Sequence, residues 1–277
     1  MKILKTIDEC ERFRDSHSYK NVGFIPTMGA LHDGHLSLIQ TSQRQCDITI
    51  ASIFVNPSQF GPNEDLSTYP RTLSTDLEKC AQIELDALFI PTTQMIYPTN
   101  HFTEISVPYL STLYCGKSRP NFFKGVTTVC ARLLNLIQPQ LMFMGEKDFQ
   151  QLQIVKKMVK DCFMPVQVIG CPIVRETSGL ALSSRNQYLS KTEVIDAAQL
   201  FQALSLTKKA FQDGIKDSGE LESICCSFLQ NSSIKIEYCT IINEQTLEPI
   251  TTKAKHGNRL LIAAHLNKTR LIDNIAF

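Results

Sequence analysis

Two histidines three residues apart, His32 and His35, enclose Asp33 and Gly34 in the run PTMGALHDGHLSLIQ at residues 26–40. An apolar stretch ends just before them and an apolar helical pattern begins just after, so they occupy a strand-to-helix turn. Such a turn offers backbone N–H groups and the positive end of a helix dipole, a combination suited to an anion. Gly29 and Gly34 let the backbone approach a ligand closely. The two imidazoles can donate to one bound group and, when protonated, stabilise charge developing on a phosphate. A polar turn with Asp33 as N-cap is the alternative, made the weaker choice by two His framing a Gly at such a turn, although a motif this short can occur by chance.

Three further segments carry candidate chemistry. In VNPSQF, Asn56 and Gln59 are neutral amides after an apolar run, able to orient hydroxyl and carboxylate groups without adding charge. In MGEKDFQQLQ, Gly145, Glu146, Lys147 and Asp148 form a second strand-to-helix junction in which Lys147 suits a phosphate. Gln151 follows Lys147 by one helical turn, so the two side chains can face one cleft. In VRETSGLALSSRNQYLS, Ser183, Ser184 and Arg185 supply two hydroxyls and a guanidinium suited to a polyphosphate, on a segment that could close over a bound ligand. Arg71, Arg119 and Lys124 lie in polar, proline-containing loops and are candidate anion contacts, though such residues are usually just solvated. Asp76 is a candidate for a metal's outer shell and reads more simply as a surface carboxylate.

The elements that must position these groups alternate along the chain. VGFIP, ITIASIFVN, DALFIP, LMFM and VQVIG read as buried strands. Helical periods start near residue 33, with Leu36, Leu38 and Ile39, and occupy residues 73–83, 126–137 and 149–161 between them. Strand, helix, strand in repetition requires parallel pairing and predicts an α/β fold with a Rossmann-like, doubly wound parallel sheet. Ligands of such sheets bind beyond the carboxyl ends of the strands, at a topological switch point. After residue 173 the pattern changes to two helices, 191–213 and 218–230, followed by strands IKIEYCTII and RLLIAAHL. The expected division is a first domain at 1–173, holding the nucleotide and acid sites, and a smaller α+β lid domain at 174–277.

Composition narrows the partners. The chain has 277 residues, 43% apolar and 20% charged, with net charge +1. That balance suits a globular core and gives no long-range argument for nucleic acid or an anionic membrane. No run approaches the roughly 18 apolar residues of a spanning helix. The start, MKILKTIDECERF, has no signal-like apolar block, so the expected location is cytoplasmic. Ten cysteines form no C-x-x-C and no zinc spacing, and read as small buried hydrophobes in a reducing compartment.

Taken in order, PTMGALHDGH, SIFVNPSQF, EDLSTYPRT, GEKDFQQL, GLALSSRNQYL and RLIDN strongly resemble the pantothenate synthetase (pantoate–β-alanine ligase) family, within the nucleotidylyltransferases with HIGH-type motifs. The resemblance spans nearly the whole chain. It implies a two-step reaction: ATP and (R)-pantoate give an enzyme-bound pantoyl adenylate and pyrophosphate, then the amine of β-alanine releases pantothenate and AMP. By position it implies that Met28, Gly29, Ala30, Leu31, His32, Asp33, Gly34 and His35 line the ATP site, with His35 as proton donor. It places Gln59 and Gln151 on pantoate, with Gln59 also meeting β-alanine; Asn56 joins them as a substrate contact from its place at the strand end. Gly145, Glu146, Lys147, Asp148, Val174, Leu182, Ser183, Ser184 and Arg185 are implied ATP contacts, with Lys147, Ser183 and Arg185 stabilising the phosphates. Mg²⁺ is expected to accompany ATP through phosphate oxygens and water rather than a protein ligand set. The resemblance further implies a homodimer. Two positions depart from the family pattern: Ser58 where Met is common, and Asn121-Phe122 where a small residue precedes His. A nucleotidylyltransferase with a phosphate-bearing acceptor and a non-catalytic ATP sensor remain alternative readings. The first predicts more Arg and Lys around the acceptor, and the second has no need of His35 or Lys147.

Overall fold

Helices join successive strands through the first 172 residues, so each strand re-enters the sheet in the same direction. The computed structural model describes residues 1–62 and 64–277. Its first sheet takes the order β1 (Lys2–Leu4), β4 (Ala87–Phe89), β3 (Ile48–Ile53), β2 (Val22–Thr27), β5 (Leu141–Gly145), β6 (Gln167–Cys171). Every pairing is parallel. The chain builds outward from β2 to β3 and β4, then restarts at β5 on the other side, so the switch point lies between β2 and β5. Their ladder is confined to Gly23↔Leu141 and Phe24↔Met142. Beyond those residues β2 stays paired with β3 through Thr27↔Ile53 and no longer with β5. That parting opens a crevice at the carboxyl ends, where this class of sheet binds ligands.

The connecting helices are α1 (Ile7–Asp15), α2 (Asp33–Gln43), α3 (Leu73–Gln82), the single turns α4 (Thr93–Ile96), α5 (Pro108–Ser111) and α6 (Cys115–Ser118), then α7 (Phe122–Ile137) and α8 (Phe149–Asp161). Leu38 and Ile39 of α2 and Cys80 of α3 pack with Ile25, Ala51, Leu88 and Phe143 of the sheet. Residues 48–52 are buried without a break, as expected for a strand covered on both faces. Two elements near the start had no clear signal in the sequence. α1 begins in a Thr6–Glu9 capping box, and β1 is three residues long and is defined by pairing with β4.

By internal contacts the chain forms two compact units, Met1–Glu146 with Gln150–Pro172, and Lys147–Phe149 with Ile173–Phe277. The second unit is an antiparallel sheet β7 (Ile234–Asn243), β8 (Asn258–Leu266), β9 (Thr269–Ala276). Helices α9 (Lys191–Gln212) and α10 (Ser218–Leu229) supply Leu200, Leu204, Leu221 and Leu229 to its core, against Ile241, Leu260 and Ile262. Lys147–Phe149 count with this unit because they bond to β8 and β9: the side-chain nitrogen of Asn274 donates to the Lys147 carbonyl at 3.0 Å, and the Arg259 guanidinium lies 4.1 Å over the Phe149 ring.

One contact in the first unit is too close for any side chain. A Cβ on Gly125, near the start of α7, would stand 2.4 Å from the Ser58 carbonyl oxygen and 2.7 Å from the Gln59 nitrogen. Both are backbone atoms and cannot rotate away, so the glycine is required by packing, not by its dihedral angles. Gly125→Ala is expected to cost about 1–3 kcal/mol through overpacking. A thermal melt checks this, and an unchanged midpoint would show that the turn below yields freely.

Candidate active site

The β2–α2 turn is built to be rigid before any ligand arrives. Gly29 has φ +78° and Ala30 φ +49°, a left-handed pair that turns consecutive N–H groups in one direction. Those N–H groups, of Ala30 and Leu31, donate to the two carboxylate oxygens of Asp76 at 2.9 and 2.8 Å. Asp76 is 1% exposed and also accepts from the Thr72 hydroxyl at 3.3 Å. The sequence reading of Asp76 as a surface carboxylate is therefore corrected: it is a buried clamp on the turn. Lys79, one helical turn later, donates to the Leu31 carbonyl at 2.5 Å, so α3 grips both polarities of the same backbone.

The next residues complete the turn with their own rings. His32, not Asp33, is the N-cap of α2; its Nδ1 accepts from the Gly34 N–H at 3.2 Å. His35 returns the contact, its Nδ1 accepting from the His32 N–H at 3.4 Å. The rings lie 4.1 Å apart at 34°. An Nδ1 that accepts leaves the proton of a neutral imidazole on Nε2, so both rings are fixed as Nε2–H donors. Asp33 instead occupies the first helical position, exposed, where its charge favours the dipole. Gly29 N–H donates to the Thr27 hydroxyl, and His35 N–H to the His32 carbonyl. The expectation that this turn presents open backbone N–H groups to an anion is thus overturned for Gly29, Ala30, Leu31, His32, Gly34 and His35: the first three are buried and bonded to side chains, and the other three are bonded within the turn itself.

Beside it stands an amide array. Asn56 is 1% exposed; its Nδ2 donates to the Gly125 carbonyl at 3.1 Å and to Gln59 Oε1 at 3.0 Å. Its Oδ1 accepts from the Ser58 N–H, the Ser58 hydroxyl and the Tyr97 hydroxyl. A carbonyl on one side and an N–H on the other fix which way the amide points. Burial raises the Tyr97 pKa, which keeps its hydroxyl a donor. Asn56 thereby turns the Gln59 oxygen inward and leaves Gln59 Nε2 as the donor, 3.1 Å from the Met28 sulfur. The amide expected to touch substrate is in this geometry the support of the one that can. Ser58, at a departure from the family pattern, belongs to the same network: its hydroxyl lies 2.7 Å from that of Tyr97, and the two hydroxyl protons are shared between this contact and Asn56 Oδ1. At the other departure, Phe122 stacks under the Arg119 guanidinium at 3.7 Å.

Other cations are partly committed. Arg119 forms a two-point pair with Glu64 and also reaches the Gln59 carbonyl. Lys124 pairs with Glu104 at 2.9 Å. Gly145 ends β5 and Glu146 follows it in the first unit, and Gln151 lies half-buried in the first turn of α8. In the second unit, Lys147 Nζ is 3.7 Å from the Asp148 carboxylate. There also Val174 and Leu182 face each other across a hairpin, the Leu182 N–H bonding the Val174 carbonyl at 3.0 Å. Ser183 then caps the short turn Ser184–Tyr188, its hydroxyl accepting from the Arg185 N–H. The structure thus gathers residues 28–35 with Asn56 and Gln59 in one unit, and Lys147 with residues 174 and 182–185 in the other.

Four buried cysteines lack the character of a nucleophile, whereas the Cys226 thiol of α10 in the second unit is lowered by its hydrogen bond with Cys239. Burial pushes the Cys130 thiol to about 12 and those of Cys10, Cys80 and Cys171 to about 11, so all four are neutral at pH 7. Among the described residues no three His, Cys, Asp or Glu side chains converge to hold a metal ion. Tyr97 and the burial of Asp76 were not visible in the sequence; the only hint was Thr72 four residues before Asp76 on one helix face. Asp76→Ala strands the Ala30 and Leu31 N–H groups, at about 1–3 kcal/mol for each. Asp76→Asn keeps one acceptor oxygen and is expected to fall between. Urea unfolding measures both, and an alanine variant within about 0.5 kcal/mol of the parent would remove the clamp from the account.

Comparison with known proteins adds an independent line. Residues 2–276 match the family described as Pantoate-beta-alanine ligase. The pantothenate synthetase of Pseudothermotoga lettingae is 44% identical over 276 residues, covering 99% of this chain and 98% of that protein. That of Sulfurihydrogenibium sp. is 46% identical over 260 residues, covering 93% and 92%. The crystal structure of pantothenate synthetase from Thermus thermophilus matches with a TM-score of 0.95 at 40% identity over 99% of both chains. A Francisella tularensis pantoate–β-alanine ligase, crystallised with Beta-gamma ATP and β-alanine, matches with a TM-score of 0.81 at 36% identity, covering 100% of this chain and 97% of that one. With a family match that spans residues 2–276 and a fold shared with a solved pantothenate synthetase, the chain belongs to the pantoate–β-alanine ligase family.

Proposed function

We propose that this protein condenses (R)-pantoate with β-alanine at the expense of ATP, through an enzyme-bound pantoyl adenylate. A carboxylate is a poor electrophile, because its carbon is shielded by delocalised charge and lacks a leaving group. In the first step a pantoate oxygen attacks the α-phosphorus and the bond to pyrophosphate breaks. In the second the β-alanine amine attacks the acyl carbon, AMP leaves with the bonding pair and the amine gives up a proton. The enzyme's task is alignment and neutralisation of developing charge, with no covalent bond to the protein. The observation that carries the reading is the family match over residues 2–276, joined to an imidazole pair held as Nε2–H donors at the switch point of the sheet.

Roles follow from chemistry and position. His35 Nε2–H donates to a phosphate oxygen as pyrophosphate departs, while His32 contacts ATP and orients His35. Residues Met28, Gly29, Ala30, Leu31, Asp33 and Gly34 shape the nucleotide floor. Gln59, its oxygen held by Asn56, directs Nε2–H to pantoate, with Gln151 as a second contact. Lys147, Ser183 and Arg185 bind phosphate oxygens, and Gly145, Glu146, Asp148, Val174, Leu182 and Ser184 flank the nucleotide. Mg²⁺ would accompany ATP, with no protein ligand set required to hold it, and would supply charge neutralisation at the phosphates. The reading includes a homodimer and a cytoplasmic location, both of which rest on the resemblance and on composition. No helix is long and apolar enough to cross a membrane, among the described residues.

Incubation with MgATP, pantoate and β-alanine is expected to yield AMP, pyrophosphate and pantothenate in equal amounts. Formation of ADP would overturn the adenylate route. Without β-alanine, pyrophosphate release should stop near one equivalent per site; continued release into a stable AMP-bearing product would favour a nucleotidylyltransferase instead. His35→Ala is expected to slow pyrophosphate formation by about 10²–10³-fold while keeping the parent circular dichroism spectrum. Undiminished turnover in that variant would strike His35 from the mechanism.

A further inference from the structure

The C-terminal run RLIDN, at residues 270–274, has taken no part in the chemistry so far. Yet Asp273 and Asn274 are 4% and 2% exposed, and polar side chains at such depth must be fully bonded. They bond each other, and Asn274 also bonds the buried Arg259. Each reaches the backbone or side chain of a segment to which the proposed function assigns phosphate binding.

Asp273 accepts two parallel bonds from Arg175, at 2.6 Å to Nη1 and 2.8 Å to Nη2. Arg175 Nη1 also donates to the Gly179 carbonyl at 3.0 Å, and its guanidinium stacks 3.8 Å over Phe201 of α9. Arg175 pairs with Ala181 across the hairpin, next to the Val174–Leu182 bond, so fixing Arg175 fixes the strand that runs into Ser183 and Arg185. Asn274 does the corresponding work for the other segment. Its Nδ2 donates to the Lys147 carbonyl at 3.0 Å, while its Oδ1 accepts from Arg259 Nη1 at 2.6 Å. Arg259 in turn covers Phe149 and bonds Glu244 at 2.7 Å. Finally, Asp273 Oδ1 accepts the Asn274 N–H at 2.7 Å, locking the two to each other. Successive side chains of a strand leave on opposite faces, so two adjacent residues can serve two separate segments.

We propose that Asp273 and Asn274 are positioning residues for ATP: one strand holds the Lys147 backbone and the hairpin of Ser183 and Arg185 in fixed mutual register. The inference rests on the phosphate roles given above to Lys147, Ser183 and Arg185. A long lysine side chain samples many rotamers, and fixing its Cα is what the fold can do to restrict its reach. A misplacement of about 1 Å costs up to about 10²-fold in rate. A carboxylate in place of the Asn274 amide loses the donor and sets oxygen against the Lys147 carbonyl, with the pair to Arg259 retained.

Asn274→Asp is therefore the diagnostic variant, with Asp273→Asn as the companion that reduces the two Arg175 bonds at this position to one. Pyrophosphate formation from MgATP and pantoate is followed separately from aminolysis of supplied pantoyl adenylate by β-alanine. Both variants should raise the KM for ATP and slow the first half-reaction about tenfold or more, with aminolysis and the KM for β-alanine unchanged. In a Lys147→Ala background, Asn274→Asp should have no further effect on the first half-reaction. Equal loss in both half-reactions, tracking a lowered melting temperature, would make the run merely structural. If Lys147→Ala abolishes the first half-reaction and Asn274→Asp leaves it untouched, the positioning role fails alone. If Lys147→Ala itself is without effect, the phosphate role of Lys147 fails, and the reason for anchoring it fails too.

Discussion

A carboxylate removed from water is costly unless every lone pair finds a donor, and Asp76 meets that demand from the backbone of one turn. The dependence runs in both directions. Without Asp76 the left-handed pair Gly29 and Ala30 would leave two buried N–H groups unbonded, and a non-glycine residue at φ +49° carries strain of its own. Without the turn, Asp76 would be a bare charge in the first turn of α3. The Lys79 bond to the Leu31 carbonyl closes the arrangement from the same helix face. The backbone entering α2 is therefore set by tertiary bonds, and the imidazole pair inherits its geometry from them. His32 can cap α2 because the chain arrives extended, at φ −131° and ψ 173°, directly after the clamped residues.

The amide array follows the same logic with neutral groups. Asn56 is fixed by the Gly125 carbonyl from α7 and by the Tyr97 hydroxyl, and it passes its polarity to Gln59. Gly125 is the hinge of this arrangement, since only a bare Cα lets α7 press on the Pro57–Gln59 turn closely enough for its carbonyl to reach Asn56. A cation–π contact of Arg132 with the Tyr97 ring, at 4.7 Å, holds the phenol from the other side.

Sequence reasoning recovered what unbroken local patterns encode. The apolar runs of β2 and β3, the period of α2 and the alternation through β6 were legible because burial on both faces leaves a continuous signal. β1 and β9 were not, since a three-residue strand has no pattern and TRLIDNIA mixes charged and apolar residues through its two buried polar anchors. The site divides the same way. Residues 32, 35, 56 and 59 stood out by type and spacing, yet their roles depend on partners at sequence separations of 46, 69 and 41 residues, namely Asp76 to Ala30, Gly125 to Asn56 and Tyr97 to Asn56. Such pairings leave no trace in a window of a dozen residues. That is why Asp76 read as surface and Asn56 as a contact.

The separation of charge between the units bears on the chemistry. In the first unit, His32, His35, Asn56 and Gln59 form a set of donors without a Lys or Arg among them; in the second, Lys147 and Arg185 bring positive charge. Under the proposed reaction the pantoate carboxylate must act as a nucleophile towards phosphorus. A guanidinium paired bidentately with that carboxylate would hold its lone pairs in two strong charge-assisted bonds and weaken its attack. A neutral amide N–H orients the same oxygen without setting a full positive charge against it, and leaves it reactive. Phosphate oxygens that gain charge as pyrophosphate leaves have the opposite need, and for them fixed cations are the better partner.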